Sequence, residues 1–124
     1  MLPGLVRQIK NMHEMSLAEG VLQVVEETAQ REKAQRVKLV VLEIGLLSSV
    51  EPDALRFCFE AVTPGSIAQG ATLEIIQTTG AGWCTPCGAR VAMSELYGEC
   101  PQCGSYQVQP TEGMEMRVKE VEIE

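Results

Sequence analysis

The chain has 124 residues, room for one ordinary domain or a small domain with a smaller attachment, and two large domains are excluded. Apolar residues make up 45% and charged residues 22%, so a packed core is expected rather than disorder, while two Phe, two Tyr and one Trp provide no base-stacking platform. Ten Lys and Arg against 17 Asp and Glu give a formal charge of −7, the wrong sign for holding nucleic-acid phosphates or anionic lipid.

Residues 1–11 carry Arg7 and Lys10 but no acidic residue, and they lack the apolar stretch of a signal peptide. No apolar run approaches the roughly 18 residues of a membrane span. The chain therefore reads as cytoplasmic, where cysteines are metal ligands or core residues before they are disulfides. From Ser16 the pattern is helical: Leu17, Val21, Val25 and Ala29 recur every four residues beside Ala18 and Leu22. Ser16 followed by Glu19 fits a capping box and sets the expected helix start. Val37 to Ile44 is rich in branched residues at nearly every position, as in a strand covered on both faces, and Gly45 ends it.

Pro52 suits the first turn of a second helix that buries Leu55, Cys58, Phe59 and Val62, and Thr63-Pro64-Gly65 stops it. Thr72 to Thr78 alternates as a second strand. In the C-terminal strand Met114, Met116 and Val118 oppose Glu115, Arg117 and Lys119, then the phase slips to Val121 and Ile123, which predicts a bulge or a change of partner near Glu120. Gly80 to about Thr111 is rich in Gly, Cys and Pro and has too few large apolar residues for a core of its own.

That stretch holds Cys84-Thr85-Pro86-Cys87-Gly88 and Cys100-Pro101-Gln102-Cys103-Gly104. Two thiolates three positions apart reach one ion only across a sharp turn, in which Pro sets φ and the following Gly allows positive φ. Two such knuckles complete a tetrahedral all-thiolate site, closed to substrate, of the kind that holds structural Zn²⁺. Spacing alone does not separate zinc from iron in such a site. Metal then folds a segment that lacks a core. Cys58 falls on the apolar stripe of the second helix and reads as core. By spacing alone His13, the one histidine, reads as a surface residue and Glu14 as a solvated charge, while Met114 and Met116 read as core.

Met12-His13-Glu14-Met15-Ser16-Leu17-Ala18, Glu43-Ile44-Gly45, Glu51 to Phe57 with Thr63-Pro64-Gly65-Ser66, and the two cysteine pairs together resemble the HypA/HybF family of hydrogenase maturation factors. The resemblance runs from Met12 to the C-terminus. It implies a non-enzymatic nickel metallochaperone that delivers Ni²⁺ to the large subunit of nickel-iron hydrogenase alongside the GTPase HypB, as a monomer or a dimer. It also implies an α+β fold, two helices packed on a three-stranded sheet with an inserted four-cysteine zinc ribbon. Residues 12–79 and 112–124 would form the nickel-binding part, residues 80–111 the zinc ribbon, and residues 1–11 an extension outside the match. Nickel would be held by Met12 through its N-terminal amine and by His13 through its backbone nitrogen and ring, with assistance from Glu14. Cys84, Cys87, Cys100 and Cys103 would hold zinc. Eleven residues precede Met12 here, and a peptide bond there replaces the free amine. A zinc-ribbon adaptor between proteins, without a nickel site, and a rubredoxin-like electron carrier are the competing readings.

Overall fold

The computed structural model describes residues 3–124, with side chains from residue 13 onward. In chain order it comprises α1 (Pro3–Arg31), β1 (Val37–Gly45), α2 (Pro52–Val62), β2 (Thr72–Thr78), β3 (Gly80–Cys84), β4 (Ala89–Met93), β5 (Val108–Glu112) and β6 (Met116–Ile123). The three expected strands form one sheet in the order β2-β1-β6, and the cysteine-rich stretch forms a second in the order β4-β3-β5. With α1 packed on α2, this is the expected α+β arrangement with an inserted ribbon. By packing, the chain separates into two compact units, Met1–Leu42, Val50–Glu74 and Val118–Glu124 in one, Glu43–Ser49 and Ile75–Arg117 in the other.

In the first unit α1 buries Glu14, Ala18, Val21, Val25 and Ala29, spaced four, three, four and four residues apart as one helical face requires. The helix does not begin at Ser16: it runs unbroken from Pro3, so the Ser16 and Glu19 pattern lies inside it. A capping box contributes only about 1 kcal/mol, and between Leu5 and Met15 there is neither Gly nor Pro to stop the helix from the other side. The far end is closed by Lys33 at φ +56, with the Lys33 N–H donating to Gln30 O and the Ala34 N–H to Ala29 O, the two bonds of a Schellman motif.

α2 begins where Pro52 predicts and buries Leu55, Cys58 and Phe59. Its N-cap is Glu51, whose carboxylate accepts from the backbone N–H groups of Asp53 at 3.3 Å and Ala54 at 2.8 Å. Arg36 and Glu124 exchange backbone hydrogen bonds in both directions, and ion pairs Arg36–Glu124 and Lys38–Glu122 line the same register of β1 and β6. In β6 the adjacent residues Lys119 and Glu120 are both exposed while Val118 and Val121 are half-buried, so the expected phase change falls where alternation placed it.

In the second unit β3 pairs antiparallel with β4 and with β5, the β5 register shifting between Ala81 and Gly82. Gly45 and Gly113 approach backbone to backbone: a Cβ on Gly45 would lie 2.1 Å from Gly113 O, and Gly113 itself sits at φ +87. Leu47 N–H donates to Gly113 O and Gly45 N–H to Glu115 O. Met114 follows this turn, lies outside β6 and is 43% exposed, so it is not the core residue that alternation suggested. The positive φ before it ends the strand geometry on which the alternation depended.

Candidate metal centres

The two knuckles fold alike. Cys84 ends β3, and the Gly88 N–H donates back to Cys84 O at 2.9 Å; in the second loop the Gly104 N–H donates to Cys100 O at the same distance. Gly88 and Gly104 take φ +60 and +76, a conformation that other residues adopt only with strain. These turns bring all four Sγ atoms of Cys84, Cys87, Cys100 and Cys103 within 4.8 Å of one another. Cys84 Sγ lies 3.6 Å from Cys103 Sγ, and Cys87 Sγ lies 3.9 Å from Cys100 Sγ. Zn–S bonds of about 2.3 Å in a tetrahedron place sulfurs about 3.8 Å apart, so the quartet fits the ion.

Charge makes the same point. Burial pushes the Cys100 thiol up, but the backbone amides of Cys103 and Gln102 outweigh it and bring the group down to about 7. Cys87 is pushed up to about 12 by its Cys103 and Cys84 neighbours and by burial. In Cys84 the backbone amide of Cys87 lowers the value, yet burial and the Cys103 and Cys100 thiols raise it overall. Each thiolate formed makes the next harder to form, and a divalent cation supplies the charge that lets all four ionise. Cys84, Val91 and Cys100 are also the buried centre of the ribbon, with Cys87 and Val108 packed against them. Three of the four cysteines thus belong to the small core of this segment.

At the other candidate centre the structure separates the expected ligands. His13 is exposed, whereas Glu14, one position on and so rotated about 100° around the helix, is only 1% exposed. Glu14 Oε2 accepts the backbone N–H of Glu51 at 3.2 Å, and Oε1 is buried with no hydrogen-bond partner. Met12 lies outside the described side chains. His13 sits within α1, so its backbone nitrogen is committed to the helical ladder, and an amide chelate requires that turn to open. Cys58, also buried, has its thiol pushed up by burial and then by the charge of Glu14, which keeps it protonated as a core residue.

A family model described as "Hydrogenase/urease nickel incorporation, metallochaperone, hypA" matches residues 12–123. The chain belongs to this family. A hydrogenase maturation factor HypA of Dechloromonas aromatica is 76% identical over 113 residues, covering 91% of this chain and all of the relative. That of Azotobacter vinelandii is 54% identical over the same shares. The solution structure of the Ni metallochaperone HypA from Helicobacter pylori is similar at a TM-score of 0.62 and 28% identity, covering 89% of this chain and 96% of that one. A second solution structure of a HypA protein reaches 0.66 at 30% identity, covering 90% of this chain and 96% of that one. His13, Glu14 and the cysteine quartet all fall inside the matched residues.

Glu51 is the partner of Glu14 that sequence reasoning missed. Its signal was present in two places: an acidic residue directly before Pro52, as at a capped helix start, and a Glu14 that is in phase with Ala18, Val21 and Val25.

Proposed function

We propose that this chain is a nickel metallochaperone, carrying Ni²⁺ to the large subunit of nickel-iron hydrogenase during its maturation. The observation that carries this reading is the family match across residues 12–123, which takes in the exposed His13 and the four-thiol cluster together. In this reading Cys84, Cys87, Cys100 and Cys103 hold a structural Zn²⁺ whose binding energy folds the ribbon. Met12, His13 and Glu14 take the cargo nickel. In a chain beginning at Met12, the terminal amine, the His13 backbone nitrogen and the imidazole close fused rings in one plane, a donor set that suits Ni²⁺. The exposure of His13 leaves its ring open to an incoming ion, and Glu14 provides a carboxylate once the first turn of that chain unwinds.

The protein is a carrier rather than an enzyme, works in the cytoplasm beside the GTPase HypB, and does so as a monomer or a dimer. Transfer tests the reading. Protein loaded with radioactive nickel is mixed with purified large-subunit precursor in the presence of a chelator that captures free ion. Nickel should appear in the precursor and should fail to do so from a His13→Ala protein. Equal delivery by that variant, or no delivery by the parent, would return the chain to an adaptor role.

A further inference from the structure

Between β1 and α2, the Gly45–Ser48 turn holds Leu46 outward, 42% exposed for a large aliphatic residue. Its backbone is not loose: the Leu46 N–H donates to Thr78 O and the Leu47 N–H to Gly113 O. After β4 a second turn, closed by the Gly98 N–H on Glu95 O, carries Tyr97 at 90% exposure. The two turns bound one cleft of about 290 Å³, whose lining includes Leu46, Leu47, Leu96 and Tyr97 with the polar Ser94 and Glu95. Ser49 takes φ +64, a conformation uncommon for a serine and found where surrounding structure enforces it. Tyr97, of a residue type enriched at binding hot spots, and Leu46, on a backbone held by two hydrogen bonds, thus present an aromatic and an aliphatic side chain across one cleft.

Charge identifies the occupant. In this unit the basic residues Arg90 and Arg117 are each engaged, by Glu112 and Glu43. Glu95 and Glu99, exposed two positions to either side of Tyr97, carry no ion pair among the described residues. An apolar cleft with the unneutralised Glu95 in its lining, and Glu99 exposed beyond Tyr97, selects a segment in which an aliphatic side chain is flanked by Lys or Arg. We infer that the cleft between Leu46 and Tyr97 docks such a basic, aliphatic segment of the hydrogenase large subunit, so that the carrier is held there while nickel moves. The inference rests on the delivery role proposed above and adds the surface that recognises the recipient.

The test measures binding of zinc-loaded protein to purified large-subunit precursor by calorimetry at low and high salt, for the parent, Tyr97→Ser, Leu46→Ser and the double variant Glu95→Gln/Glu99→Gln. All four side chains are exposed, and zinc content and melting temperature show that each variant is folded. Tyr97→Ser and Leu46→Ser should each weaken binding about tenfold or more, and the double variant should bind more weakly at low salt with a flattened salt dependence. Affinities within about twofold of the parent, with a parent that binds, would overturn the docking site and leave the delivery role standing. A parent that does not bind the precursor would overturn both.

Discussion

Glu14 Oε2 receives the backbone N–H of Glu51 at 3.2 Å, and Glu51 in turn caps α2 with its own carboxylate. One buried acid on α1 therefore fixes the residue from which the second helix starts. The negative charge also sits at the end of α2 where the helix dipole favours it. The remaining oxygen, Oε1, has no partner, which makes Glu14 costly to bury and more than a packing residue.

Removing that acceptor should be felt in α2. Glu14→Ala leaves the Glu51 N–H unpaired and should lower stability by about 1–3 kcal/mol. Glu14→Gln keeps an oxygen in place and should stay within about 1 kcal/mol of the parent. Urea unfolding of the zinc-loaded proteins, followed by helical circular dichroism, compares them. Equal losses in the two variants would mean that the bond to Glu51 is not what Glu14 contributes.

The ribbon should depend on its metal and the helical unit should not. Cys84→Ser, or removal of zinc by a chelator, should collapse the dispersed proton signals of the ribbon and shift the emission of Trp83, which adjoins Cys84 on β3. Signals from α1, α2 and residues 37–42 should persist, because Val21, Val25, Leu42 and Leu55 form a core without metal. Since each sulfur must lose a proton to bind, retention of zinc should also fall as the solution is acidified. Elemental analysis giving iron as the bound metal, or global loss of dispersion, would contradict this.

Nickel binding should require His13 but folding should not. His13→Ala should abolish high-affinity Ni²⁺ binding and leave zinc content and thermal stability unchanged, because the ring is exposed. A protein beginning at Met12 should bind Ni²⁺ more tightly than one carrying residues 1–11 and show a planar absorption spectrum. The longer form should give a spectrum closer to octahedral. Calorimetry and absorption on both forms decide the matter, and equal affinity with planar spectra in each would exclude the terminal amine as a ligand.

Gly45 should tolerate no side chain. With Gly113 O 2.1 Å from the position of an added Cβ, Gly45→Ala must displace backbone rather than a flexible side chain. A loss of about 1–3 kcal/mol is expected, read from the shift in the denaturation midpoint. A neutral substitution would show that the two glycines do not approach this closely in solution.

Much of this architecture was legible in the residues. Val37 to Ile44, Pro52 to Val62 and Thr72 to Thr78 each show their type because side-chain periodicity and a nearby breaker agree. The cysteine quartet was legible because its chemistry dictates its spacing. The burial of Glu14 was not, since it is decided by an N–H 37 positions along the chain. The start of α1 was misread because a local cap pattern says nothing about helix-forming residues upstream. The short ribbon strands were obscure for another reason: Gly80 to Cys84 has no alternation to read, and its pairing is set by the hairpin with β4 and by the cysteines.

The phase change in β6 has a bearing on solubility. β6 is an edge of its sheet, with a row of backbone groups open to a neighbouring molecule. Arg117 and Glu122 pair with Glu43 and Lys38 of β1, and the exposed adjacent pair Lys119-Glu120 interrupts the alternation that a foreign strand would need to match on both faces. Crowded copies of the chain therefore meet, at this edge, charge and irregularity of the kind that guards against strand-to-strand aggregation.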